Sequence, residues 1–274
     1  MGLLLELQKR IPDGWFLRRM LPAALLVVVA VLGGGQLGWA HWSDLGLARA
    51  RIAGALQLGE GLTSDGAAVL VLLAAAACAA ALAVPFAAGA VGTLAAGAWP
   101  WWLTPLGRRL TARRRGRWAP PAELARRAVR ARAAGRETRA ARLDALRARS
   151  TGVEPLGPTW SGDRLRATER HLRETTGTDV AESWTGVLLT APDAAREALT
   201  AARDGYDASC EALVWSLAFT AVGAWWWPSA VAGVLLGLAS WRSLRRSVDT
   251  LCRTTEAVVA LPPAPTADTA TPAS

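Results

Sequence analysis

The feature that most constrains the fold is an uncharged stretch of 37 residues, 67–103. About 20 apolar residues in a helix are enough to cross the hydrocarbon core of a bilayer. Inside lipid the backbone has to satisfy its own hydrogen bonds, so a helix is the conformation open to such a stretch. The stretch therefore predicts a membrane protein, and the 52% hydrophobic content of the 274-residue chain agrees with it.

A second apolar stretch, 21–40, lies near the N-terminus. It is too long for the core of a signal peptide, and the "GWAHW" that ends it lacks a cleavage site of small residues, so an uncleaved first span is expected. Basic flanks stay in the cytoplasm, which predicts a cytoplasmic segment 1–20 and an extracytoplasmic loop 41–66. The basic residues before this span are Lys9, Arg10, Arg18 and Arg19.

The number of crossings in 67–103 follows from the arginines after it. Two crossings would leave those arginines outside, against the positive-inside rule. One long span, tilted or kinked at Pro85, avoids this and ends with Trp99, Trp101 and Trp102 at the inner interface, where indoles concentrate. The residues 67–103 are therefore predicted to form the second span.

The third apolar stretch, 213–241, can cross once or form a hairpin that turns at "WWWPS". The hairpin returns Arg242, Arg245 and Arg246 to the cytoplasm, at the cost of two rather short spans, and we favour it for 210–244. The sequence then predicts an all-α, polytopic protein of the inner (plasma) membrane with about four transmembrane helices. Both termini lie in the cytoplasm, including the tail 245–274 with its disordered, Pro/Ala/Thr-rich end.

The remaining region, 104–209, is predicted to be cytoplasmic and helical, and its charge is sharply divided. Residues 108–149 hold fifteen arginines and three acidic residues, a net charge of +12, whereas 154–211 have a net charge of −5. Pro120 and Pro121 suit the first turn of a helix, and the next thirty residues are strong helix formers. An arginine-covered helix is expected there, with a thin apolar face that contains Ala125, Val129, Ala133, Ala140 and Leu143.

Four uses of the arginines remain open from the sequence. They can mark topology as a solvated segment, pair with the acidic region, adsorb to anionic lipid, or grip the phosphates of double-stranded DNA without reading bases. Aromatic residues hardly interleave with the arginines after Trp118, which disfavours stacking on single strands. The residues predicted to bind DNA or anionic lipid are Arg108, Arg109, Arg113, Arg114, Arg115, Arg117, Arg126, Arg127 and Arg130.

Small residues spaced four apart predict close helix packing. Gly34 and Gly38 have this spacing in the first span, and Gly233 and Gly237 have it in the last. Small side chains let helix backbones approach closely in lipid. The spacing does not distinguish packing within one chain from association between subunits.

The sequence predicts neither an enzyme nor a cofactor or metal site. His41 and His171 are expected on opposite sides of the membrane, and the three cysteines are widely spaced. The single lysine, Lys9, excludes a phosphate-binding loop of the G-x-x-x-x-G-K-[ST] type. The "GGGQLG" at 33–38 follows no strand, so it does not indicate a dinucleotide site.

A longer pattern carries a resemblance to a known family. The segment "GPTWSGDRLRATERHLRETTGTDVAESWTGVLLTAPDAAREALTAARDGYDASCEALVWS" and the following "WWWP" resemble the spread (Spd) membrane proteins of actinobacterial conjugative plasmids and integrative elements. The similarity covers about 155–250 and the overall layout. It offers no site motif, so the arginines above are chosen by charge and position alone.

The resemblance implies a membrane component of conjugative plasmid transfer that helps plasmid DNA spread across mycelial cross-walls. It implies an oligomer, an FtsK-like DNA translocase as partner, non-specific binding of double-stranded DNA, and the formation of a pore. The alternative is an oligomeric pore-forming protein without a nucleic-acid role, in which the arginines serve topology and anionic lipid.

Overall fold

The computed structural model describes residues 19–33, 46, 64–148, 154–177 and 191–260. In these residues the chain is all-helical, which confirms the predicted all-α class for the described part. A 3-10 turn, Trp101–Leu103, precedes α3. The helices are α1 (Leu21–Leu32), α2 (Ser64–Ala95), α3 (Thr104–Arg115), α4 (Pro121–Ala133), α5 (Glu137–Ala148), α6 (Trp160–Thr176), α7 (Asp193–Val222) and α8 (Trp227–Val259).

The chain divides into two compact units, which are described separately. The first draws on residues 1–91 and 207–244, and the second on residues 92–206 and 245–274. Three helices, α2, α7 and α8, have residues in both units.

Helix α2 contains the part of the described chain that is suited to a membrane. Its segment Ala67–Ala95 is the one helical segment of the described residues long and apolar enough to cross a bilayer, and Leu21–Val31 in α1 is a shorter apolar helix. Only 11% of the most apolar 18 residues of this segment are buried. A core helix of a soluble protein is mostly buried, so the exposed apolar surface of α2 is typical of contact with lipid.

The second predicted span is too long at its C-terminal end. Helix α2 stops at Ala95, and the chain then turns at Gly97, whose φ of +85° is a left-handed conformation that favours glycine. Pro100 follows in extended conformation and begins the 3-10 turn. The tryptophans at 99, 101 and 102 therefore lie beyond the helix, although they were predicted to end it.

Helices α7 and α8 form an antiparallel hairpin in the first unit. The turn lies at 223–226, slightly before the predicted "WWWPS" at 225–229, whose last three residues begin α8. The Ser229 hydroxyl donates to the Phe219 carbonyl (2.7 Å), and Ser209 and Ser243 share a hydrogen bond of 3.1 Å. Serine side chains thus fasten the two arms at both ends of this stretch.

Glycines of α8 lie at the contact with α7. A Cβ on Gly233 would be 2.5 Å from the amide nitrogen of Thr220, and one on Gly237 would be 2.8 Å from the Ser216 hydroxyl oxygen. The pair thus packs within one chain in the structure. The other predicted pair, Gly34 and Gly38, lies outside the described residues, as does the rest of the first span beyond residue 33.

Alanines and one ion pair hold α1, α2 and α7 together. A buried cluster joins Ala23 of α1 and Ala81 of α2 to Trp215 of α7. Beside it, Arg19 Nη2 lies 2.6 Å from Glu211 Oε1, and the Glu211 side chain is almost fully buried. Small side chains permit this close packing, and the ion pair joins residues 192 positions apart.

In the second unit, α4 and α5 form a helical hairpin where one long arginine-covered helix was expected. Gly135, with φ +69°, breaks the helix between them. In α4, before the break, the buried face contains Leu124, Ala128 and Ala131, whereas Val129 is 62% exposed; Ala140 of α5 is buried. The expected apolar face was therefore wrong at Val129 and right at Ala140.

Candidate functional site

The arginines of α3, α4 and α5 differ in their environment. Eight of them are exposed and make no side-chain hydrogen bond or ion pair with any described residue. A guanidinium is charged at every physiological pH, so each of these positions is a free cationic donor. The eight are Arg108, Arg109, Arg113 and Arg117 of α3 and its C-terminal turn, Arg130 of α4, and Arg136, Arg139 and Arg142 at and within α5.

Three more arginines form ion pairs on the hairpin surface. Arg126 and Arg127 share Glu123 at 3.0 and 2.9 Å, and Arg132 pairs with Asp144. The hydrogen bond from Arg127, stronger than the opposing effect of desolvation, lowers the pKa of Glu123. One carboxylate serves both Arg126 and Arg127, so this cluster retains a positive charge.

Arg114 and Arg115 are used differently, because they attach α3 to the segment before α6. Arg114 Nη2 lies 2.8 Å from Asp163 Oδ2, and its Nη1 donates to the Gly157 carbonyl. Arg115 Nε donates to the Pro155 carbonyl at 2.9 Å. Two residues predicted to bind DNA or lipid therefore bind their own chain, as the pairing alternative allowed.

Asp163 is the centre of this arrangement, which we call the junction. The junction consists of Gly97, Arg114, Gly157, Thr159, Gly162, Asp163 and Arg166. The Asp163 carboxylate is 6% exposed and accepts hydrogen bonds from the backbone N–H groups of Leu156 (3.2 Å) and Gly157 (2.8 Å). Arg166 Nη1 donates to the same carboxylate at 3.2 Å. All three hydrogen bonds reach Oδ1, whereas Oδ2 has no hydrogen bond among the described residues and lies beside the charge of Arg114, so two arginines balance the charge of the buried carboxylate.

The sequence "GPTWSGD" builds the junction locally. Thr159 caps the N-terminus of α6: its hydroxyl accepts from the Gly162 N–H (3.2 Å) and donates to the Ala95 carbonyl (2.7 Å). A Cβ on Gly157 would be 2.6 Å from Arg166 Nη1, and one on Gly97 would be 2.8 Å from Arg166 Nη2. A side chain at either glycine would displace the guanidinium of Arg166 from its present position.

Of the nine predicted binding arginines, five are exposed and unpaired among the described residues: Arg108, Arg109, Arg113, Arg117 and Arg130. Arg126 and Arg127 share Glu123, and Arg114 and Arg115 belong to intrachain contacts. Sequence reasoning left out Arg136, Arg139 and Arg142, which are equally free. Their position after the Gly135 break was the available signal.

A second polar network lies between α6 and the C-terminal part of α8. Arg164 donates to Asp249 (3.2 Å) and Glu256 (3.1 Å), and the Thr168 hydroxyl donates to Glu256 at 2.7 Å. Burial raises the pKa of the neighbouring Cys252 thiol, which is 1% exposed. In the described part of the chain, no group of three or more His, Cys, Asp or Glu side chains is placed to hold a metal.

No family model, curated protein or solved structure matches this chain.

Proposed function

We propose that the chain is a four-span protein of the inner (plasma) membrane that binds double-stranded DNA without sequence preference and takes part in conjugative plasmid spreading. It acts without catalysis, as a homo-oligomer, and assists an FtsK-like DNA translocase. The observation that carries the DNA-binding part is the group of eight arginines on α3 to α5 that are exposed and have no partner among the described residues. The conjugative setting and the translocase rest on the sequence resemblance alone.

The membrane part is supported by the apolar surface of α2 and by the hairpin of α7 and α8. At 1.5 Å per residue, the 29 residues Ala67–Ala95 extend about 43 Å, more than the roughly 30 Å of hydrocarbon, so a tilted span accommodates them. Arginines follow α2 closely in sequence. The positive-inside rule then assigns 104–209 and both termini to the cytoplasm.

The binding chemistry follows from charge without base readout. Exposed guanidinium groups on a helical hairpin can contact phosphate oxygens through charge-assisted hydrogen bonds. Released counterions supply most of the affinity, so the affinity falls steeply with salt. With about six phosphates engaged, the slope of log K against log salt would be near −5.

The test uses the full-length protein in nanodiscs of zwitterionic lipid, so that the membrane part is retained and anionic lipid does not compete. Duplexes of three unrelated sequences should bind with equal affinity, and the affinity should fall as salt rises. A matched variant, with Arg113, Arg117 and Arg130 changed to Gln, should bind more weakly with a shallower slope. If the wild-type protein does not bind duplex DNA at low salt, the DNA proposal is overturned and the pore-forming alternative is favoured.

Topology is tested separately by cysteine labelling. Arg117→Cys, in a background with the three native cysteines changed to Ala, should react with a membrane-impermeant maleimide only after the cells are permeabilised. Labelling in intact cells would put the arginines outside and contradict the membrane topology.

A further inference from the structure

The strongest unassigned feature is an open pocket in the second unit, with a volume of about 660 Å³. It lies between α3 and the segment 156–158, and its walls are mainly apolar or small: Gly97, Trp99, Gly107, Ala112, Leu156 and Pro158. Arg108 and Arg115 bring positive charge to it, and its lining contains no acidic residue. A cationic pocket with apolar walls suits an anion that carries an apolar body.

The walls of the pocket are fixed before any ligand arrives. Trp99 Nε1 donates to the Leu94 carbonyl at 2.9 Å, and the ring would lie 3.4 Å from a Cβ on Gly107. Arg114 and Arg115 attach α3 to 155–157 through the contacts described above. A preformed cavity loses less entropy on binding than one that has to be assembled.

The donors available to a ligand are guanidinium groups. Arg108 is exposed and unpaired among the described residues. Arg115 uses Nε for the Pro155 carbonyl, with Glu154 3.5 Å from the same atom, and its two Nη nitrogens have no partner in the described part of the chain. The hydroxyl protons of Thr104 and Thr111 are donated to backbone carbonyls of residues 100 and 107. Guanidinium groups bind the oxygens of phosphates and carboxylates through charge-assisted hydrogen bonds, so the pocket offers donors to an anion of either kind.

The position in the chain favours a phosphate carried by lipid. The pocket residue Gly97 comes two positions after α2, the helix suited to cross the membrane. Trp101 and Trp102, four and five positions after Gly97, are 85% and 63% exposed, and tryptophan is enriched at membrane interfaces. The volume exceeds that of a phosphate alone and has room for the glycerol and first methylenes of a phospholipid.

We propose that this pocket binds the phosphate and glycerol of an anionic phospholipid, with Arg108 as the main phosphate donor and Trp99, Leu156 and Pro158 against the glycerol and acyl carbons. The inference rests on the membrane part of the proposed function and is independent of its DNA part. It separates one arginine, Arg108, from the surface assigned to DNA.

The test is native mass spectrometry of the full-length protein, titrated in detergent with phosphatidylglycerol and with phosphatidylcholine. Wild-type protein should bind phosphatidylglycerol about tenfold more tightly than phosphatidylcholine. Arg108→Gln should remove most of that preference, and Leu156→Glu, which places a negative charge at the pocket, should do the same while keeping Arg108. Arg109→Gln, the same change of charge on the neighbouring exposed residue outside the pocket, should change the affinity less than twofold.

Equal losses of phosphatidylglycerol affinity in Arg108→Gln and Arg109→Gln would show that diffuse surface charge binds the lipid, and would overturn the proposed pocket site. Displacement of phosphatidylglycerol by millimolar glycerol phosphate or inorganic phosphate would assign the pocket to a soluble phosphate and overturn the proposal that its ligand is a lipid. If Arg108→Gln lost affinity for duplex DNA but kept its lipid adducts, Arg108 would be assigned to DNA and the lipid proposal would be overturned. Lipid results as expected, together with wild-type protein that ignores duplex DNA, would contradict only the DNA proposal.

Discussion

The arginines of the junction and those of the exposed surface look alike in sequence and have opposite roles in the structure. Arg114 and Arg166 surround the buried carboxylate of Asp163. Arg113 and Arg117, one position before Arg114 and three after it, have no partner among the described residues. The helix turns each residue by about 100°, so neighbours in one arginine run face different surroundings.

This contrast shows that net charge overstates the free binding surface. The segment 108–149 has a formal charge of +12, but part of it compensates carboxylates of the same chain. Only exposed guanidinium groups without a carboxylate can release counterions from DNA at no cost to the fold. Variants of the two groups should therefore fail in different assays.

The largest effect is expected from Asp163→Asn. The change preserves shape but leaves Arg114 and Arg166 without a counter-charge, so the free energy of unfolding should fall by about 3 kcal/mol. Thermal unfolding of the detergent-solubilised protein, followed by tryptophan fluorescence, measures it. Arg113→Gln is the control and should stay within about 0.5 kcal/mol of wild type. Equal stabilities of the two variants would remove the distinction between the groups.

Gly97→Ala tests the same junction from the backbone. The left-handed φ and the 2.8 Å approach of Arg166 Nη2 should together lower the free energy of unfolding by about 2 kcal/mol. Gly89→Ala in α2 is a matched control, because a Cβ there meets nothing within 4 Å and alanine favours a helix. The same fluorescence assay would contradict the geometry of the junction if Gly97→Ala proved as stable as wild type.

Local signals explain which parts of the fold could be read from the sequence. The all-helical class, the start of α4 at Pro121 and the turn before α8 follow from helix formers interrupted by proline and glycine. The end of α2 at Ala95 was missed because apolar composition continues to residue 103. The helix ends in a local turn, in which the N–H groups of Gly97 and Ala98 donate to the carbonyls of Leu94 and Thr93, but glycine alone does not mark it because Gly89 and Gly92 lie inside α2.

Long-range pairs explain what was missed in the candidate site. Arg19 and Glu211 lie next to predicted first and third spans, but nothing local says that they meet. Likewise, an arginine run gives no indication that Arg114 alone reaches Asp163. The signal that existed was the pair of glycines around "PTWS" with an aspartate following, which indicates a tight, capped start of α6.

The exposed group should dominate DNA binding. Changing Arg113 and Arg117 together to Gln should reduce the magnitude of the salt slope by about 2 and weaken duplex binding about tenfold near 0.1 M salt, with stability unchanged. Fluorescence anisotropy of a labelled duplex over a salt series measures it. A matched double variant, Glu169→Gln with Arg173→Gln, removes an exposed ion pair of α6 without changing the net charge and should leave the slope as it is. An unchanged slope in the arginine variant would exclude these two residues from phosphate contact.

The smallest effect concerns the network of Arg164, Thr168 and Glu256. Partial burial pushes the pKa of Glu256 upward, but hydrogen bonds from Thr168 and Arg164 outweigh it and hold the pKa below its ordinary value of 4.5. Because the folded-state pKa is depressed, the stabilisation is present above pH 4.5 and is lost as the pH falls through the folded-state value. Glu256→Gln should therefore weaken the dependence of the free energy of unfolding on pH between 6 and 3.5. The change should be below about 1 kcal/mol because the Glu256 side chain is partly exposed. Glu169→Gln, which changes an exposed ion pair of the same unit, is the control and should unfold with the pH dependence of wild type. If Glu256→Gln showed that same pH dependence, the network would add nothing to acid sensitivity.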